Sequence, residues 1–167
     1  GIALHALPRK DPDRYALMVM NTILGRGMSS RLFKEVRERR GLAYSVGSGA
    51  SRYSDIGVMS VSAGVTLEYL EEATRVIRHE LFRLADEPAG EDEATKARDF
   101  SIGNFRLGLE STMALAQRAG EALLMTGEIE PIEDVVASIA AVTPAEMQRV
   151  AQRLFRPGGF SMAVVGP

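Results

Sequence analysis

The hydrophobic pattern divides the chain into segments of two different periods. Ile2 to Leu7 is a short apolar run closed by Pro8 and the polar turn Arg9-Lys10-Asp11-Pro12, and its length suits a strand. From Asp13 to Leu24 apolar residues fall on almost every side (Tyr15, Leu17, Met18, Val19, Met20, Ile23, Leu24), which predicts a helix buried on more than one face and ended by Gly25 and Gly27. Ser29 or Ser30 caps a second short helix through Leu32, Phe33 and Val36, stopped at Gly41. Leu42 to Arg52 and Ile56 to Val65 alternate small polar with apolar residues and contain no proline, so they read as two strands of an antiparallel hairpin across Tyr53-Ser54-Asp55.

Thr66 is the expected cap of a long amphipathic helix with Leu67, Leu70, Ile77, Leu81 and Leu84 on one stripe and Glu68, Glu71 and Glu72 at the positive end of its dipole. Glu91 to Arg156 reads as helix, broken near Gly108 to Ser111, at Gly127 to Pro131, and at Val142 to Pro144. There Thr143, Pro144 and Glu146 form a capping box. Pro157-Gly158-Gly159 turns the chain into a last strand, Phe160 to Val165. The expected fold is α+β, in one domain over residues 1–167.

Composition narrows the chemistry. The formal net charge of −2, from 20 basic and 22 acidic residues interleaved along the chain, gives no footprint for nucleic acid or an anionic membrane. With no cysteine there is no disulfide framework, thiolate metal site or cysteine nucleophile. No apolar run approaches membrane-spanning length, and no secretory signal opens the chain. The start at Gly1-Ile2-Ala3-Leu4, already apolar and without an initiator methionine, points to a piece of a longer polypeptide. No compartment is fixed, with the cytoplasm the expectation.

Two histidines, His5 and His79, are too few for a catalytic zinc set, and the position that would complete an H-E-x-x-H helix from His79-Glu80 holds Arg83. His79 therefore reads as a surface or boundary residue. The loop Leu24 to Ser30 is glycine-rich but lacks the third glycine of a dinucleotide fingerprint and the Gly-Lys-Ser/Thr of a P-loop, so a helix C-cap followed by an N-cap accounts for it. Small residues at Gly47, Ser48, Gly49 and Gly57 allow another backbone to come close.

The most informative stretch is Leu24 to Val46, LGRGMSSRLFKEVRERRGLAYSV. It carries Arg26, Arg31, Lys34, Arg37, Arg39 and Arg40, and pairing with Glu35 and Glu38 on a solvated face explains most of them. Arg37 and Tyr44 differ. One stands in the last turn before Gly41 and the other just beyond it, where a fork of donors and a hydroxyl can face a carbonyl or carboxylate together.

This stretch resembles the signature of the C-terminal, non-zinc domain of insulinase/pitrilysin zinc peptidases, which include mitochondrial processing peptidase and bacterial relatives. The resemblance extends in order of elements over nearly the whole chain. It implies a processing-peptidase-like domain with a mixed, largely antiparallel sheet of about four strands and helices packed on it. It also implies zinc on a separate N-terminal domain with an inverted H-x-x-E-H motif, and no cofactor and no catalytic residue in this chain alone. Carried over residue by residue, Arg37 becomes a clamp on substrate backbone and Tyr44 a donor near the reacting carbonyl. The implied partners are the N-terminal peptidase domain, a peptide substrate received at the hairpin edge, and a second copy in a dimer. The alternative is a structural or chaperone-like subunit of the same superfamily without peptidase activity.

Overall fold

Ile2 and Leu4 are buried on one face of β1 (Ile2–Ala6) while His5 on the other is exposed, the alternation of a strand with one face on a core. The computed structural model describes residues 1–166. β1 pairs antiparallel with β3 (Gly57–Gly64), which pairs antiparallel with β2 (Ser45–Arg52), and a two-residue β4 (Ser161–Met162) lies on the other side of β1. The order β2-β3-β1-β4 leaves β2 at an edge. Gly57 permits the tight turn off β1, because a Cβ there would stand 2.1 Å from the Leu7 carbonyl oxygen.

Helices cover the sheet. α1 (Arg14–Gly25) is buried from Ala16 to Gly25 except at Met18, as its all-round apolar pattern predicts, between β2 and the later helices α3 (Glu91–Leu107) and α6 (Pro144–Leu154). α2 (Leu70–Asp86) buries Ala73, Val76, Ile77, Leu81 and Leu84 and packs on α6. α6 begins with the expected capping box: the Thr143 hydroxyl accepts from the Glu146 N–H, and the Glu146 carboxylate accepts from the Thr143 N–H at 2.8 Å. α5 (Ile132–Ala140) buries Val135 and Ile139, whereas no residue of α4 (Thr112–Thr126) is buried. No helix among the described residues is long and apolar enough to cross a membrane.

Four expectations change. The helix at Thr66 starts with a 3₁₀ turn, Leu67–Tyr69; the Thr66 side chain makes no capping bond, and Leu67 is 76% exposed, outside the buried stripe. The short helix after Ser30 is a π-helix, Phe33–Glu38, in which Arg39 N–H donates to Lys34 O and Leu42 N–H to Val36 O, both at 2.8 Å. Ser30 does not cap it by accepting a bond, because its hydroxyl donates to the Gly27 carbonyl. The last strand is only Ser161–Met162: the antiparallel register sets Met162 opposite Ile2, and Ala163 N–H donates to Gly1 O, so Val164 and Val165 run past the first residue of β1.

Candidate functional site

The segment from Gly25 to Val46 is fixed at three places before it presents any side chain. Gly25 lies so close to β2 that a Cβ would meet the Ser48 hydroxyl at 2.4 Å, and Ser48 donates to Asn21 Oδ1 at 2.7 Å. Leu32, Val36, Leu42 and Ala43 are buried in the core. Arg31, at first sight one of a solvated set, is half-buried and donates in fork fashion to both carboxylate oxygens of Glu93 on α3, at 3.0 and 2.7 Å. Burial opposes the Arg31 charge, but the bonds to Glu93 outweigh it and hold the guanidinium above its ordinary value. Sequence reasoning missed this anchor because its partner is 62 positions away.

The other basic residues divide into those that pair with Glu35 and those, Arg26, Lys34 and Arg37, with no carboxylate partner among the described residues. Arg39 and Arg40 both pair with Glu35, whose carboxyl is held below its usual range first by the hydrogen bond from Arg40. Arg37 has no carboxylate partner among the described residues. Its guanidinium lies 5.1 Å from the centre of the Phe33 ring and 5.8 Å from the centre of the Tyr44 ring. Gly41, with φ of +62°, reverses the chain between the π-helix and the strand, which sets these three side chains beside one another. Tyr44 is tied by its backbone, since its N–H donates to Gly64 O at 2.9 Å, while its side chain is 86% exposed. The pair singled out from sequence thus stands together at the start of the edge strand, with guanidinium N–H groups and a phenol open to solvent.

The histidines do not come together. His5 is exposed on β1 and His79 exposed on α2, and among the described residues no group of three or more His, Cys, Asp or Glu is arranged to hold a metal ion. These residues do not fit a zinc site.

A second polar constellation lies at the opposite end of β2. A cavity of about 850 Å³ opens between the start of α1, the end of β2 and α4. Arg14 and Tyr15 converge there on Glu130, with the Tyr15 hydroxyl donating at 2.5 Å. Burial, then the bond to Glu130, pushes the Tyr15 phenol up to about 12.

Comparison with known proteins gives the chain's family. Residues 1–100 match the family described as the peptidase M16 inactive domain. The chain is 42% identical, over 99% of its length, to a Streptomyces coelicolor protein named as an uncharacterized zinc protease, of which it spans 36%. A conserved protein from Enterococcus faecalis superposes with a TM-score of 0.82 at 29% identity, covering 92% of this chain and 36% of that one. A peptidase M16 inactive domain from Pseudomonas fluorescens superposes with a TM-score of 0.86, covering 95% of this chain and 38% of that one; at 22% identity it supports the fold alone. The chain therefore spans little more than a third of this curated relative, and with its four-stranded antiparallel sheet, covering helices and matched first hundred residues it belongs to the peptidase M16 inactive-domain family.

Proposed function

We propose that this chain is the non-catalytic, substrate-holding domain of a zinc-dependent metalloendopeptidase, with the zinc on an N-terminal domain outside it. The observation that carries the reading is Arg37. Like Lys34 on the same π-helix, it is engaged by no carboxylate among the described residues, and its guanidinium lies against the exposed ring of Tyr44 where the edge strand begins. A guanidinium in that position offers parallel N–H donors to the carbonyl oxygens of an extended peptide, and its planar fork fixes their direction. The Tyr44 hydroxyl supplies one more donor. Aimed at a carbonyl that gains negative charge during hydrolysis, it contributes more to the transition state than to the ground state.

The free edge of β2 supports the same reading, because its unpaired backbone groups can add an extended peptide as another strand. The small side chains Ser45, Gly47 and Gly49 keep that edge open to a second backbone. A zinc-bearing N-terminal domain and a second copy of the chain are the protein partners this reading implies.

The test is steady-state kinetics of the full-length protein alongside thermal melts. Tyr44→Phe keeps the ring against Arg37 and removes only the hydroxyl, so turnover should fall roughly a hundredfold while the melting temperature stays put. Arg37→Lys keeps the charge and loses the fork, and should raise KM or lower kcat at unchanged stability. Normal turnover in both variants would end the assignment of these two residues.

A further inference from the structure

The cavity at the far end of β2 has no part in the reading above, and its charges are unevenly matched. Arg9 lies 3.8 Å from Glu121, and Arg14 pairs with Glu130. Three other cations lining it hydrogen-bond only to backbone carbonyls among the described residues: Arg52 donates to Arg14 O at 3.3 Å, Arg118, whose guanidinium also lies 5.7 Å from the centre of the Phe105 ring, to Glu130 O at 2.5 Å, and Lys10 to Thr126 O at 2.8 Å. Each guanidinium carries five N–H donors, so most of those on Arg52 and Arg118 have no hydrogen-bond partner among the described residues. The buried Nε of Arg9 has none either. Burial, together with the like charges of Arg9 and Arg14, pushes the Arg52 guanidinium below its ordinary value, although Tyr15 and Glu130 work the other way. The remaining lining carboxylates, Glu128 and Asp134, pair with no cation among the described residues, so the cavity as a whole is close to balanced and the excess positive charge is local to Arg52 and its neighbours.

The position of this cluster relative to Tyr44 gives it a use. Tyr44 has the same parity along the chain as Val46, Ser48, Ala50 and Arg52, and β2 turns Ser48 and Ala50 toward α1 and the cavity. Eight residues of extended strand separate Tyr44 from Arg52, roughly 26 Å. A peptide lying along the β2 edge with its reacting carbonyl at Tyr44 therefore reaches Arg52 about eight residues away. We propose that the cavity at the Arg52 end of β2 is a subsite for a carboxylate of the bound peptide, received by Arg52 and Arg118. The inference rests on the reading of the chain as a peptide-holding domain, and extends it from backbone recognition to a choice among peptides. The carboxylate comes from the end of the peptide or from an Asp or Glu side chain near that position.

The experiment is calorimetric titration of the full-length protein, under a chelator so that no zinc-dependent hydrolysis consumes the probe. The probes are three N-acetylated decapeptides of alanine and serine: one with a free C-terminal carboxylate, one amidated, and one amidated with a penultimate glutamate. The free-carboxylate peptide should bind about tenfold more tightly than the plain amide, the difference expected of hydrogen bonds to a charged group. Arg52→Met should abolish that preference. If the glutamate peptide matches the free acid, a side-chain carboxylate also serves; if it matches the plain amide, the site reads the chain terminus. Equal affinities for all three peptides, or no binding of the free-carboxylate peptide, overturns the proposal without recourse to any variant. A carboxylate preference that persists while Tyr44→Phe and Arg37→Lys turn over normally would remove the clamp and leave the anion subsite standing.

Discussion

Two arginines six positions apart in one motif do opposite work, and burial separates them. Arg31 is enclosed and forked onto Glu93, so it ties the signature segment to α3. Arg37 is exposed and stacked on aromatic rings with its donors free. Arg31→Lys, which cannot reproduce two parallel bonds, should cost about 1–3 kcal/mol of stability. The variant should melt earlier yet keep near-normal turnover per folded molecule at low temperature, the reverse of Arg37→Lys. Differential scanning calorimetry paired with low-temperature kinetics checks this. Loss of turnover without loss of stability in Arg31→Lys would mean that the two arginines act as one unit. The motif made Arg37 and Tyr44 conspicuous in the sequence because both flank a glycine that must turn the chain. The role of Arg31 was hidden because it depends on a carboxylate in another helix.

Among the elements, α6 offers the cleanest link from sequence to energy. Its capping box is spelled out by Thr143, Pro144 and Glu146, and each expected bond is present. The backbone N–H of Thr143, and then its hydroxyl, hold the Glu146 carboxyl below its ordinary value of 4.5. A folded-state value below the unfolded one means that the charged cap stabilises the fold above the ordinary glutamate range, and that this contribution fades as pH falls through the lowered folded value. Thr143→Ala should cost about 1 kcal/mol near neutral pH. Glu146→Gln removes the titrating group, so its melting temperature should differ most from that of the unaltered protein near neutral pH, with the gap closing in acid. Melts across that range would contradict the account if the gap were constant.

Strand and helix periods, the Thr143 cap and the turn residues were legible because each is a local property, whereas Thr66 and Ser30 have cap-forming side chains that make no capping bond. The π-helix was not, since Phe33 to Glu38 has an ordinary helical composition and its wider turn follows from packing Val36 and Leu42 into one core. Nor was the brevity of β4: apolar alternation at Phe160 to Val165 shows readiness to pair, but the partner's register decides how far pairing runs. Leu67 falls outside the α2 stripe for a similar reason, because the 3₁₀ turn rotates it away from the face that Ala73 and Ile77 bury.

At the scale of the whole molecule, the fold is a sheet with β2 along one edge and polar clusters at both ends of that strand. Arg37 and Tyr44 stand at one end and Arg52 at the other. The cavity was not visible in the sequence, because its lining comes from the β1–α1 turn, α1, β2, α3, α4, α5 and the segment before α5, places with no shared motif. The central claim is that this chain holds peptide for chemistry performed elsewhere. It is tested most directly by measuring zinc content and peptide hydrolysis on the 167-residue chain purified alone and dialysed extensively, beside the full-length protein. The account predicts far less than one zinc per chain and no hydrolysis, with or without added zinc. A retained stoichiometric zinc together with hydrolysis that a chelator abolishes would contradict it.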